Sequence, residues 1–314
     1  MSKLIVFGDT HARSKEPFYT AISQFFDWAK NQSWNNSDNT MIHVGDMFHH
    51  NKPSPETYRL VLDFLQSLDF RTIHILSGNG IHEYNRIEKS WAIDPLNSVE
   101  RVILHKTPTS ITFDQSLSCL LLPWFPSYVG NDGNRITMQE TYENYTTTAD
   151  HDYIFGHFAH RELFGEKINI DHILGKKRMG HVHSPDEEYI GVNVISRYDE
   201  KGIDTKLLEI DIDSKAEKVI PIPKFLDYET LSYNQRVPKR DYNVIWDIKD
   251  APSVERANNK YPNIHIRNID VDKNKIEISE KEVEKKNSVL EYFNSYVKDT
   301  KLNKETEKVL RGVL

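Results

Sequence analysis

Residues 4–11 read LIVFGDTH: an apolar run of Leu4, Ile5, Val6 and Phe7, then Gly8, then Asp9-Thr10-His11. A run this short, rich in β-branched and aromatic side chains and closed by glycine, predicts a strand with polar groups on the loop that follows it. The pattern returns twice, in MIHVGDMFHH (41–50) and IHILSGNG (73–80). Between these runs, 16–31 and 55–68 carry apolar residues at helical spacing. Strand, helix, strand, helix, strand predicts an α/β fold, in which loops at the carboxyl ends of the strands line the ligand crevice. Those loops hold Asp9, His11, Asp46 and Asn79.

From about residue 110 the pattern turns to strands: ITF, LSCLLLPW, DYIFGH, RMGHVH and VNVIS, interrupted by one helical stretch at 136–145. This predicts a second sheet packed on the first. Residues 219–237, rich in Pro and Tyr without periodicity, read as a connector. YNVIWDI, PSVERANNKY and NIHIRNIDV then predict a small strand–helix–strand unit. From Lys281 the chain is charged and helical in pattern. One apolar stripe there runs through Val289, Leu290, Phe293 and Val297, and another through Val309, Leu310, Val313 and Leu314. No internal repeat is present.

The 314 residues, 38% hydrophobic and 28% charged, have an ordinary globular composition. The amino-terminal apolar run is too short for a signal-peptide core and no later run approaches bilayer length, so a cytoplasmic protein with no membrane contact is expected. Cys119, the single cysteine, excludes an internal disulfide and reads as strand-core packing. The net charge of −7 argues against a broadly basic surface. Any nucleic-acid contact must then come from local patches or bound cations.

Five glycine-led motifs end strand-like segments: Gly8-Asp9-Thr10-His11, Gly45-Asp46-Met47-Phe48-His49, Gly78-Asn79, Gly156-His157 and Gly180-His181-Val182-His183. Taken singly, each is weak, because a buried histidine is more often satisfied by a backbone carbonyl. Together they offer imidazoles, carboxylates and an amide, a donor set suited to manganese, iron or zinc. Two ions roughly 3.5–4 Å apart, bridged by one carboxylate, activate water and clamp a phosphoryl group.

The motif order DxH, GDxxH, GN, GH, GHxH resembles that of the calcineurin-like metallophosphoesterases. The histidine ending the second motif, where the serine/threonine phosphatases carry GDxxDRG, is similar to the SbcD-like double-strand-break-repair nucleases, the branch that includes the recombination nuclease subunit of T-even phages. TSITFDQSLSCLLLPWFPSY (109–128) resembles a strand pair of that branch. The resemblance implies a four-layer β-sandwich flanked by helices over 1–218, a connector and small β-α-β DNA-capping domain over 219–280, and a helical hairpin over 281–314. It implies a first metal on Asp9, His11 and His183 and a second on Asn79, His157 and His181, with Asp46 bridging. His49 would stabilise charge at the scissile phosphate. It further implies a manganese-dependent double-strand exonuclease and single-strand endonuclease in recombination, repair or replication, in the host cytoplasm if phage-encoded. The expected partners are DNA and the coiled coil of an SbcC-like ATPase, the latter bound through the C-terminal helices, with a homodimer inside a heterotetramer. A small-substrate metallophosphodiesterase and a structural DNA-end-binding subunit with impaired catalysis stand as alternatives.

The third motif departs from the family's Gly-Asn-His-acid. Here the text is Gly78-Asn79-Gly80-Ile81-His82-Glu83. Either Gly80-Ile81 is inserted and His82-Glu83 remain the catalytic pair, or Gly80 and Ile81 replace that pair and His82 belongs to the next loop. Two extended residues displace a side chain by roughly 6–7 Å. Elsewhere, His43 and His74 read as core or sheet-face residues. His50, His105, His151, His160, His172 and His265 read as solvated. Lys176-Lys177-Arg178, and Arg236 with Lys239-Arg240, read either as solvated surface or as DNA-phosphate contacts.

Overall fold

The computed structural model describes residues 2–129, 134–146, 150–162 and 167–271. The chain opens with β1 (Lys3–Phe7), α1 (Phe18–Lys30), β2 (Thr40–His43), α2 (Pro55–Ser67) and β3 (Thr72–Leu76). A short hairpin of β4 (Tyr84–Asn85) and β5 (Ser90–Trp91) precedes β6 (Val102–His105). Next come β7 (Thr109–Phe113), β8 (Leu117–Leu122), a ribbon of β9 (Tyr128–Val129) and β10 (Arg135–Ile136), α3 (Met138–Glu143), β11 (Tyr153–His157) and β12 (Lys176–Gly180). The described elements close with β13 (Lys206–Asp211), β14 (Glu217–Pro221), β15 (Leu226–Ser232), β16 (Asn243–Ala251), α4 (Val254–Lys260) and β17 (His265–Val271).

The first sheet has the order β14-β13-β1-β2-β3-β6, parallel from β1 through β6 and antiparallel at β13 and β14. A second sheet has the order β12-β11-β8-β7, with β8, β11 and β12 parallel. Side chains alternate across each strand, and that alternation sorts the core into layers. Ile5 and Phe7 of β1 join Phe25 and Phe26 of α1 and Phe64 of α2 in one apolar cluster. Leu4 and Val6 point the other way, into a cluster with Cys119, Leu121, Tyr153 and Phe155 of the second sheet. Leu120, Leu122 and Ile154 face away from that cluster and pack with Tyr142, Met179 and Tyr189. The two sheets therefore meet face to face.

The helices follow local rules. Ser54 caps α2, its Oγ accepting from Thr57 N at 3.2 Å, and Pro55 occupies the first turn, where its missing N–H costs nothing. α1 buries Ala21, Ile22, Phe25, Phe26 and Ala29, and the Phe26 and Phe64 rings stack at 3.9 Å between the two helices.

Several expectations need correction. VNVIS is not a strand, although it is buried. Its backbone instead serves the site loops: Asn193 N donates to Asp9 O at 2.8 Å, and the Asn193 side chain holds Gly8 N, Gly8 O and Thr10 Oγ1. Residues 219–237 are not a plain connector, because β14 ends the first sheet and β15 pairs with β16. Pro221 is tolerated because β14 is an edge strand. The expected boundary at 218/219 falls inside β14. Among the described residues, the compact units are 2–229 with Pro238–Trp246, and Thr230–Val237 with 247–271. The strand–helix–strand β16-α4-β17 lies where the sequence placed it, joined by β15 into a three-stranded sheet. The helical hairpin expected over 281–314 lies outside the described residues. Among those described, no helix is long and apolar enough to cross a membrane.

Candidate metal centre

β1, β2 and β3 run parallel and side by side, as do β11 and β12, so their carboxyl ends present five loops to one place. Asp9 and His11 follow β1, Asp46 and His49 follow β2, and Asn79 and His82 follow β3. His157 ends β11, and His181 and His183 follow β12. Asp9, His11, Asp46 and His157 are almost wholly buried.

Three trios converge so that their ligand atoms lie within 4.8 Å of one another: Asp9, His11 and His183; Asp46, His157 and His181; and His11, His49 and His82. The first trio contains the residues expected for one metal. The second contains the expected bridge, Asp46, with two of the three residues expected for the other. Asn79 stands beside it, with its backbone N donating to Asp46 Oδ1 at 2.8 Å and its Nδ2 to Asp46 Oδ2 at 2.9 Å. Its Oδ1 accepts from Ile81 N at 3.0 Å and keeps a second lone pair.

The backbone is forced at these positions. His11, Asp46 and His181 have φ of 50°, 51° and 76°, a left-handed conformation that typically costs a non-glycine residue about 1–3 kcal/mol. Compensation is local: Thr10 N and His11 N both donate to Asp46 O, and His181 N donates to the Asp9 carboxylate. Gly78 is needed for close approach, since a Cβ there would lie 2.1 Å from Asp46 Oδ1. A Cβ on Gly45, at φ 105°, would meet His157 Nδ1 at 2.3 Å.

The insertion in the third motif is absorbed by a tight turn. His82 N and Glu83 N both donate to Asn79 O, at 3.1 and 2.9 Å, so the chain coils instead of extending. His82 returns to the cluster, its ring 4.5 Å from that of His11 and its Nε2 3.8 Å from Asp46 Oδ2. That is the position which the first of the two readings gives His82. Its expectation for Glu83 does not hold: Glu83 accepts from Met47 N and Gly78 N, both at 2.6 Å, tying the β2 and β3 loops together. The His49 carbonyl orients His82 instead, accepting from Nδ1 at 2.6 Å and leaving Nε2 toward the site.

His49 has a different task. Arg13 Nη1 donates to its Nε2 at 2.9 Å, so the neutral ring carries its proton on Nδ1, which is buried and without a partner among the described residues. Burial and the Arg13 charge push the His49 pKa down to about 3. The ring is therefore a neutral N–H donor at physiological pH.

Whether this pocket fits divalent cations is decided by what its atoms lack. His157 donates from Nδ1 to Val44 O at 2.8 Å, which leaves Nε2 buried and without a hydrogen bond, 3.3 Å from Asp46 Oδ1. A ring fixed through one nitrogen with the other facing a carboxylate is the arrangement of a metal-ligating histidine. His11 Nε2 and His183 Nε2 face each other at 2.9 Å. On the far side of its ring, His183 Nδ1 hydrogen-bonds the buried Glu200 carboxylate.

The electrostatics agree. Burial, reinforced by Asp46, pushes Asp9 up to about 7 despite the neighbouring histidines. Asp46 is held well below the carboxylate range against the effect of burial, chiefly by His157. Burial would depress His157, yet the two aspartates raise it to about 9. With the protein's own groups alone, the charge that balances the aspartates is a proton on the His157 ring. Two divalent cations would supply that charge, polarise a phosphoryl oxygen and acidify a water.

Sequence reasoning missed Glu200, Arg13 and Asn193. Glu200 lies on a short 3-10 turn far along the chain, and Arg13 reaches His49 while its guanidinium sits 3.3 Å over the Phe18 ring. His105, His151 and His160 are buried, contrary to expectation. His105 pairs with His74, His151 with Ser118 Oγ at 3.0 Å, and His160 with Glu188 at 3.2 Å. Among the basic residues read either as solvated surface or as phosphate contacts, Arg178 pairs with Glu217 and Arg240 with Glu229.

A sandwich of two sheets with histidines and aspartates gathered at the strand ends defines a metal-dependent phosphoesterase. Residues 2–191 match the sequence profile of the calcineurin-like phosphoesterases, and the chain belongs to that family. No curated protein matches the chain.

Proposed function

We propose that the protein is a manganese-dependent DNA nuclease subunit, cutting duplex ends exonucleolytically and single strands endonucleolytically, in partnership with an SbcC-like ATPase. The observation that carries this reading is the third trio. His49 and His82 stand beside the ligand clusters through His11, one offering an N–H and the other a free Nε2. The two cations would be held by Asp9, His11 and His183 and by His157 and His181, with Asp46 between them and Asn79 at hand. His49 would then donate to a non-bridging phosphoryl oxygen as charge develops, and His82 Nε2, having taken up a proton released as the water attacks, would pass it to the departing sugar oxygen as the P–O bond breaks. His82 lying in the cluster speaks against a merely structural subunit.

In the same reading the two sheets and their flanking helices form the four-layer sandwich. The strand–helix–strand unit caps the DNA, and 281–314 binds the ATPase within a heterotetramer built on a homodimer. The test compares manganese-dependent cleavage of an end-labelled duplex and of bis(p-nitrophenyl) phosphate by the wild type and by Asp46→Ala. Duplex cleavage lost in the variant supports the reading. Hydrolysis of the small ester alone would replace it with a small-substrate phosphodiesterase.

A further inference from the structure

The chain that carries His82 continues directly into the β4–β5 hairpin, and this hairpin forms one wall of a groove of about 820 Å³. Tyr84, Trp124 and Phe125 supply aromatic lining, and Arg86, Lys89, Arg135 and Lys167 supply cations against a single carboxylate, Glu162. Arg86, Lys89 and Lys167 make no ion pair among the described residues; Arg135 makes only a 3.4 Å hydrogen bond to Ser127 Oγ. The groove adjoins the loop after β3 at Trp124. A Cβ on Gly80 would meet Trp124 Cη2 at 2.6 Å, so the glycine two residues before His82 is what lets the indole lie against the catalytic turn.

The aromatic residues form a connected set that includes Trp91, with ring centroids 4.8 Å apart for Tyr84–Trp91, 6.0 Å for Trp91–Trp124 and 6.4 Å for Tyr84–Trp124. All three are only partly buried. Their placement is held by the backbone, since Trp124 N donates to Ser77 O at 3.0 Å and Ser77 Oγ to Trp124 O at 2.6 Å. Partly open aromatic faces interleaved with uncompensated cations are the chemistry of single-stranded nucleic acid: bases stack on rings while lysine and arginine track phosphates.

We propose that this groove binds unpaired nucleotides of the strand being cut, a base on Trp124 or Tyr84 and flanking phosphates on Arg86, Lys89, Arg135 and Lys167. The proposal rests on the nuclease reading and deepens it. On this proposal a small phosphodiester engages the metal centre without using the groove. A single strand is long enough to do both, and the groove is how the enzyme distinguishes them.

The test uses the full chain with fluorescein-labelled oligodeoxythymidylate. Affinity is read by anisotropy in EDTA, so that binding is separated from cutting, and cleavage is read with manganese against bis(p-nitrophenyl) phosphate. Arg86→Ala/Lys89→Ala, two substitutions on an exposed turn, is expected to weaken oligonucleotide binding about tenfold and to flatten its dependence on log salt by roughly 1–2 in slope. Cleavage of the oligonucleotide should fall relative to that of the small ester. Arg86→Lys/Lys89→Arg should retain binding, and Trp124→Phe should keep most of it by preserving a ring. Unaltered affinity and salt slope in the double alanine variant, with DNA cleavage by the wild type intact, would overturn the groove alone. A wild type that hydrolyses the small ester but neither binds nor cuts the oligonucleotide would overturn the nuclease reading with it.

Discussion

His82 illustrates how a side chain can be out of place in the alignment and in place in space. The turn from Asn79 to Glu83 takes up two extra residues without moving the imidazole away from His11 and Asp46. His82→Ala is expected to lower phosphodiester turnover by roughly 10²–10⁴, the range for lost proton transfer, while two manganese ions per chain remain bound. Single-turnover kinetics with metal analysis of the same sample checks both halves, and an undiminished rate would remove His82 from the mechanism. The aspartates and histidines gathered at the site were legible in the sequence because each follows an apolar run and a glycine. Glu200, Arg13 and Asn193 were not, because nothing near them in sequence announces that they orient His183, His49 and the β1 loop. The distant partner defines their role.

At the level of elements, periodicity was a sound guide where one pattern dominated: β1, β2, β3, α1, α2, β8, β11 and β12 lie where alternation or helical spacing placed them. It failed at VNVIS, where burial imitates a strand while the backbone bonds go to loops, and at β15, hidden among Pro and Tyr. The neighbouring strands β3 and β6 carry a feature that no pattern revealed. His74 and His105 are buried, stack at 5.2 Å, and share a 2.9 Å hydrogen bond between ring nitrogens. Burial, with His105 adding to it at His74, pushes their pKa values down from 6.5 to about 3 for His74 and about 4 for His105. Above 6.5 neither folded nor unfolded chain binds a proton at these rings. Below it the unfolded chain does and the folded chain does not, so stability falls as pH drops from about 6.5 toward 4. Each ring contributes up to about 1.4 kcal/mol per pH unit in that window. Urea midpoints at pH 7 and pH 5 should therefore differ, and His74→Gln/His105→Gln should narrow the difference. An equal drop in that variant would assign the acid sensitivity elsewhere.

For the whole molecule, the net charge of −7 sits beside a groove that is locally basic, and on the proposed reading that groove would let an acidic chain address a polyanion. Composition could rule out a basic coat but could not locate the groove, whose cations come from the β4–β5 hairpin, β10 and residue 167. On the proposed reading, truncation after Glu284 leaves manganese binding unchanged and abolishes co-purification with an SbcC-like ATPase, and retention of that partner would place the interface elsewhere. The division of the metal centre between two sheets also fixes when it can exist. β1 delivers Asp9 and His11 early, but His181, His183 and the Glu200 brace emerge from the ribosome only after the second sheet has been made. A half-synthesised chain lacks part of the donor set, so the capacity for metal-dependent phosphoester chemistry arises only once translation has passed Glu200 and the first-made strands have met the last-made ligands.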